Sequence, residues 1–149
     1  MIYHDKGEYE NAIEFYTKSL KIKEEIGDKS GISGSYHNIG AIYQQKGEYK
    51  KAIEFYNKSL KIKEEIGDIN GIALSNGQFG LLYIQLKDYQ KAFPYLIKAY
   101  LIFKKLESPN IKLAINQLIQ IKDYIPQEQF IKKLEESGIK IEEMFRFIL

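Results

Sequence analysis

A 22-residue segment that occurs twice, 40 residues apart, is the feature that most constrains how this chain folds. Residues 7–28 read GEYENAIEFYTKSLKIKEEIGD, and residues 47–68 read GEYKKAIEFYNKSLKIKEEIGD. Only three of the 22 positions differ, and each difference exchanges one polar residue for another. A third, more diverged copy follows at the same spacing, near Asp88. Repetition at a fixed period of this size is typical of solenoid folds, in which each repeat packs on its neighbours.

Each copy has the pattern of a long amphipathic helix followed by a turn. Apolar residues recur at three- and four-residue steps through residues 49–66, which predicts a helix, named helix B, of about five turns. Gly67 is expected to end this helix in the left-handed conformation, and Asp68 to cap the next helix, named helix A. Helices A therefore begin near residues 29, 69 and 109, the last with Ser108 as N-cap and Pro109 in its first turn.

Small residues predict how each helix A packs against the helix B that follows it. Gly40 and Gly80 lie in the middle of helices A, and Ala52 and Ala92 lie early in helices B. Glycine inside a helix costs about 1 kcal/mol relative to alanine, so close packing is needed to offset it. We therefore expect antiparallel hairpins, joined by short turns after residues 46 and 86 and closed at these small residues.

Composition excludes several classes of protein. The chain has no cysteine, so it forms no disulfide, thiolate metal site or cysteine nucleophile. Its 22 basic and 20 acidic residues alternate, which predicts no nucleic-acid and no membrane partner. The lysine ridge that includes Lys58, Lys61 and Lys63 is a weak alternative, because Glu64 and Glu65 follow it directly. No apolar run approaches the roughly 20 residues of a membrane span, and no signal peptide is recognisable, so we expect a cytoplasmic protein.

Residues suited to catalysis are scarce. The two histidines, His4 and His37, have no third metal ligand at a fixed spacing, and glutamates such as Glu24 and Glu64 stand beside lysines near helix ends. No phosphate-binding loop or hydrolase motif is present. The sequence therefore predicts no enzyme activity, no metal and no cofactor.

Matched residues within the repeats carry a family resemblance. Large residues, glycine and tyrosine recur in helices A, and alanine with aromatic and small residues recurs in helices B. The matching residues are Tyr36, Ile39, Gly40, Tyr43, Ala52, Tyr56 and Ser59, then Phe79, Gly80, Tyr83, Ala92, Leu96 and Ala99. In these the chain resembles the tetratricopeptide repeat, which implies an all-α, right-handed superhelical solenoid of antiparallel helix hairpins. The 40-residue period resembles the long-repeat subclass found in kinesin light chains and spindle-orientation adaptors.

The resemblance predicts two regions along the chain. Residues 1–125 are expected to form the repeat array, with a partial first repeat and about three hairpins. Residues 126–149 are expected to form capping helices over approximately 127–137 and 140–148, divided by Gly138 and covering the apolar face of the last repeat. The alternative is that the apolar end of the chain is a docking surface. That end comprises Phe145, Phe147, Ile148 and Leu149.

The start of the chain leaves the first helix B without most of its partner. Residues 2–6 align with residues 42–46, the end of a helix A. Two interpretations remain open: the sequence is a fragment of a longer array, or a neighbouring molecule covers the exposed face by self-association. The second makes self-assembly, with the chain as a homo-oligomer, the alternative function.

The resemblance further implies a function. Helices A of this family line a concave groove, so we expect a non-catalytic module that binds a peptide or helix of a partner protein there. By resemblance, the groove residues are His37, Asn38, Ala41, Gln44, Gln45, Leu74, Gln78, Leu81, Gln85, Gln117 and Tyr124. Asn38 matches the asparagine that holds a peptide backbone in this subclass, and Gln78 takes the same place one repeat later. The alternative for Asn38 is a bond within its own hairpin or to water. The groove lacks the basic residues that grip a chaperone's acidic tail.

Overall fold

The structure is a computed structural model that describes residues 6–146, without the side chain of Phe145. Within this range it contains helices and no strand, which confirms the predicted all-α fold. In chain order the helices are α1 Lys6–Ile26, α2 Lys29–Gln45, α3 Tyr49–Ile66, α4 Ile69–Gln85, α5 Tyr89–Lys105, α6 Ile111–Lys122, α7 Gln127–Glu136 and α8 Ile141–Arg146. Thus α2, α4 and α6 are the predicted helices A, and α1, α3 and α5 are the predicted helices B. The expectations for residues 2–5 and 147–149 lie outside the described residues.

A residue in the left-handed conformation follows each of the first five helices, at positions 27, 47, 67, 87 and 107. Gly67 has φ +70°, as predicted, and the amide of Asp68 donates to the carbonyl of Lys63 at 2.9 Å. The same pair of positions closes every one of these helix ends. In the diverged repeat the glycine is replaced, so Lys87 adopts φ 57° and Glu107 adopts φ 51°.

Aspartate side chains cap two helices A, one of them at the predicted Asp68. Asp28 and Asp68 accept hydrogen bonds of 2.9 Å from backbone amides three residues further on. The predicted cap at Ser108 is wrong: α6 begins at Ile111, with Asn110 as its N-cap. Residues 108–110 form a separate tight turn, because the amide of Asn110 donates to the Ser108 hydroxyl and the amide of Ile111 donates to the Ser108 carbonyl.

Contacts divide the chain into two units, residues 1–71 (unit 1) and residues 72–149 (unit 2), with the division inside α4. In unit 1, α2 contacts both α1 and α3. Gly40 meets α3 at the predicted close approach, since a Cβ there would lie 2.8 Å from the Tyr56 ring and 3.3 Å from the Ala52 carbonyl. Both Ala52 and Tyr56 are buried, and the Ser59 hydroxyl donates to a carbonyl of α2 at 2.8 Å.

In unit 2 the hairpin of α4 and α5 closes in the same way. A Cβ on Gly80 would overlap the Leu96 side chain, and Phe79 stacks on Tyr95 with ring centroids 5.0 Å apart. The core is continuous through this unit. Its largest buried side chains include Phe93, Leu96, Tyr100, Ile115, Leu118, Ile121, Leu134 and Ile139.

The last two helices pack on α5. Phe130 of α7 stacks on Phe93 at 4.9 Å with the rings nearly parallel, and the amides of Gln90 and Gln129 bond to each other. From α8, Glu143 pairs with Lys104 at 2.8 Å. Helices α7 and α8 therefore bury apolar side chains in the same unit as α4, α5 and α6.

Candidate functional site

In unit 1, two of the five predicted groove residues contact Tyr56 of α3, within the hairpin of α2 and α3. The His37 ring lies 5.3 Å from the Tyr56 ring, and burial, followed by the positive charge of Lys63, lowers the pKa of His37. Gln44 accepts a hydrogen bond from the Tyr56 hydroxyl at 2.6 Å. Both side chains therefore contribute to the contact between the two helices of this repeat.

The remaining three predicted residues of α2 differ in exposure. Asn38 and Gln45 are exposed, whereas Ala41 is half-buried. An exposed amide offers both a donor and an acceptor, which suits pairing with an extended peptide unit. In unit 1, Asn38 and Gln45 are therefore the predicted residues whose amides are open to solvent.

In unit 2, the predicted residues of α4 form a mixed surface. Leu74 is 43% exposed and is one of several large apolar side chains exposed in the described part of the chain. Gln78 and Leu81 are half-buried, and Gln85 is exposed at the end of the helix. This face of α4 thus combines apolar and amide side chains, as the sequence predicts.

Gln117 of α6 is the most unusual of the predicted residues. Its side chain is only 8% exposed, and its Oε1 atom has no hydrogen-bond partner within the described part of the chain. The neighbouring position on α4 is Gly77, where an added Cβ would meet only this oxygen, at 3.9 Å. A buried acceptor left without a donor costs about 1–3 kcal/mol. Unit 2 therefore contains an unsatisfied carbonyl oxygen beside a position that carries no side chain.

Tyr124 lies just beyond α6 and is 61% exposed. Its ring stacks on Tyr89 with centroids 4.2 Å apart and an angle of 12° between the planes. It also lines an open cavity of about 780 Å³, together with Ile125, Phe130 and Ile141. Tyr124 is thus held at the edge of a cavity by a second aromatic ring.

Residues 6–146 lack two other kinds of feature, a metal-binding cluster and a membrane-spanning helix. No group of three or more histidine, aspartate or glutamate side chains in that range comes together as metal ligands do. No helix there has both the length and the apolar composition needed to cross a membrane.

The sequence did not identify one feature that the structure brings out, the proximity of Gly77 to Gln117. Gly77 stands at the same repeat position as His37 and Gln117, and this spacing is the signal that links it to Gln117. On α1, Phe15 is 66% exposed, Ile22 59% and Ile26 71%, and no residue of the helix is buried. This is the exposed face of the first helix B that was expected from the alignment of residues 2–6 with residues 42–46.

Comparison with known proteins identifies the repeats. Residues 1–65 and residues 73–105 match two family profiles, each described as tetratricopeptide repeat. No curated protein matches the sequence. A solved structure titled "Crystal structure of BtubC (BKLC) from P. vanneervenii" is similar, with a TM-score of 0.72 and 22% sequence identity. The match covers 89% of this chain and 55% of the other, so this chain spans about half the length of that protein. At this identity the likeness shows the fold alone.

Proposed function

We propose that this chain, which carries tetratricopeptide repeats over residues 1–65 and 73–105, is a protein-interaction module that binds a peptide or helix of a partner along α4 and α6. Tetratricopeptide repeats generally mediate protein–protein interactions and are generally non-catalytic. We further assign the repeats to the long-repeat subclass, which the 40-residue spacing of the two near-identical segments favours.

The observation that carries the proposal is the buried Oε1 atom of Gln117. This oxygen accepts no hydrogen bond within the described part of the chain, and we propose that a ligand donates one to it. A backbone N–H of a bound segment can be that donor. Gly77 has no side chain beside this oxygen, so a ligand backbone can reach the oxygen once the Gln117 side chain turns toward it. A hydrogen bond formed there removes the cost of the unsatisfied acceptor, so ligand binding gains that free energy.

Apolar side chains next to this acceptor favour a ligand that is also partly apolar. Leu74 lies one turn before Gly77 on α4, and Leu113 lies one turn before Gln117 on α6. These leucines are 43% and 54% exposed, so covering them removes apolar surface from water. The expected ligand therefore places two apolar side chains around one backbone N–H.

The other predicted groove residues are part of the same proposal. Within unit 2, Gln78 and Leu81 are proposed to contact the ligand along α4. Asn38 belongs to unit 1 and is proposed separately, as a residue that pairs with a peptide backbone there. Tyr124 is proposed to contact an apolar side chain of the ligand with its exposed ring face.

Selection from a random peptide display library on the whole chain tests the proposal. Enriched peptides are synthesised, and their affinities are measured in solution for the native chain and for Gln117→Met, which keeps the side-chain length and removes the acceptor. Gln120→Met is the matched control, because Gln120 is an exposed glutamine on the same helix. We expect Gln117→Met to weaken binding about tenfold and Gln120→Met to leave it unchanged. Equal affinity for all three proteins, or a library that yields no binder, contradicts the proposal.

A further inference from the structure

One side of α4, next to the Gln117 acceptor, carries a regular row of side chains. Leu74, Gln78, Leu81 and Gln85, named the α4 row, follow one another at steps of four, three and four residues, which places them on the same side of the helix. Leucine and glutamine alternate along the row. Leu74 is 43% exposed and Leu81 is half-buried, so both leucines offer apolar surface to a ligand.

The α4 row belongs to a helix that has no charged residue from Ile69 to Gln85. Charged residues make up 28% of the chain, and α5, the next helix, carries several lysines. In α6 the lysines stand near the two ends of the helix, at residues 112 and 122. A charged ligand side chain placed over the α4 row would lose water without meeting an opposite charge on this helix. We therefore expect the ligand to be uncharged where it crosses the row.

The spacing of the two leucines distinguishes between ligand conformations. Leu74 and Leu81 are seven residues apart, which is about 10 Å along a helix axis. In a polyproline II helix, side chains three residues apart point the same way and lie about 9 Å apart. In a β-strand, side chains on one face lie about 7 or 13 Å apart, so no pair of them matches both leucines. An α-helical ligand does match, through side chains seven residues apart in its own sequence.

The Gln117 acceptor decides between the two conformations that match. In an α-helix, the backbone N–H groups beyond the first four are already bonded to carbonyl groups of the same helix. A polyproline II segment has no internal hydrogen bonds, so it can donate its N–H groups to another molecule. Gly77, where an added Cβ would lie 3.9 Å from the Gln117 Oε1 atom, stands between the two leucines in the sequence of α4. The N–H that pairs with Gln117 therefore belongs to a ligand residue between the two apolar ones.

We propose that the segment bound at this site is an uncharged polyproline II segment with the pattern apolar-x-x-apolar, in which one middle residue donates its backbone N–H to Gln117. Its two apolar side chains cover Leu74 and Leu81. The inference rests on the proposed function and names the conformation and the chemistry of the ligand. Proline suits the middle position that does not donate, because proline fixes φ near the polyproline II value and has no N–H.

Chemical variants of a selected peptide test the inference. The probe is the tightest-binding peptide from display selection on the whole chain, synthesised with blocked ends and a fluorescent label, and its dissociation constant is measured by fluorescence anisotropy. Each middle residue is replaced in turn by its N-methyl form, which removes one N–H. We expect one N-methyl peptide to bind about tenfold more weakly. The other is the matched control and should bind within about twofold of the parent peptide.

The Gln117→Met chain shows whether the sensitive N–H pairs with Gln117. This chain lacks the acceptor, so it should bind the sensitive N-methyl peptide and the parent peptide equally well. On the native chain, proline at the insensitive middle position should keep or raise the affinity, whereas lysine or glutamate there should weaken binding at least about threefold. Binding of the parent peptide should be the same at low salt and at about 0.5 M salt.

Several results would overturn the inference. Equal sensitivity of the two N-methyl peptides, or a loss that persists in Gln117→Met, removes the single N–H as the donor to Gln117. A gain in affinity from charged middle residues, or from residues that stabilise an α-helix, shows a ligand of another kind. Binders that fail these tests overturn this inference and leave the proposed function standing. A selection that yields no binder contradicts the proposed function, and the inference falls with it.

Discussion

Replacing Gly40 by alanine tests the close approach of α2 and α3. The new Cβ would lie 2.8 and 2.9 Å from two carbons of the buried Tyr56 ring and 3.3 Å from the Ala52 carbonyl oxygen. Overpacking of this kind costs about 1–3 kcal/mol. Alanine recovers about 1 kcal/mol of helix propensity, so we expect Gly40→Ala to lower the free energy of unfolding by about 1 kcal/mol net.

Gly34 provides the matched control on the same helix. A Cβ there would meet no atom within 4 Å, so Gly34→Ala gains helix propensity without a clash. We expect this variant to raise the free energy of unfolding by about 1 kcal/mol. Urea unfolding followed by far-UV circular dichroism measures both variants against the native chain. If both alanines stabilise the chain to the same extent, the Tyr56 ring moves aside without cost and the reasoning is refuted.

Four further predictions concern stability. Lys87 adopts the left-handed backbone conformation, with φ 57°, which glycine adopts without strain. Lys87→Gly should therefore raise the free energy of unfolding, measured in urea, by about 0.5–1 kcal/mol. Equal or lower stability would contradict this reasoning. Tyr100→Phe removes a buried hydroxyl that has no hydrogen-bond partner among the described residues, and should stabilise by about 1 kcal/mol. Tyr56→Phe loses the hydrogen bond to Gln44 and should lower the stability of the chain by about 1 kcal/mol. Thermal unfolding measures both tyrosine variants, and a change of stability in the same direction for both would contradict these predictions. Because burial lowers the folded pKa of His37, the unfolded state binds its proton more readily, so the free energy of unfolding should fall as pH drops through about 6.5. Urea titrations should find this fall lost in His37→Gln, and a fall of the same size in the variant and the native chain would contradict the assignment.

Local signals in the sequence predicted most of the fold. The duplicated segment fixed the helix period, and Gly67 and Asp68 marked a helix end and the next start because each residue acts within its own turn. The start of α6 was predicted less well, since Ser108 and Pro109 form a turn of their own. A serine side chain can accept a hydrogen bond from a nearby backbone amide either as a helix N-cap or within a turn, and the sequence alone does not distinguish the two.

The candidate site was predicted less completely, because side-chain partners depend on the opposite helix. Gln44 is bound by Tyr56, but in the next repeat the corresponding residues are Ile84 and Leu96 and no such bond forms. The burial of Gln117 depends on how α6 lies against the glycine of α4, which no periodicity reveals.

The exposed face of α1 was expected from the alignment of residues 2–6 with the end of a helix A, and it could not have been predicted from the residues of α1 themselves. Phe15 and Phe55 lie in nearly identical stretches, yet one is 66% exposed and the other stacks on Tyr43. Burial is a property of the neighbouring helix as well as of the residue, so a repeated sequence predicts repeated helices without predicting that each copy is covered.

The central claim is that a partner segment supplies the missing donor to Gln117. Nuclear magnetic resonance of the isotope-labelled chain, titrated with a peptide enriched by library selection, observes the side-chain amides of Gln117 and Gln120 in one experiment. The account predicts that the Gln117 signals shift progressively to saturation while the Gln120 signals stay in place. Saturating binding that leaves the Gln117 signals unmoved would contradict it.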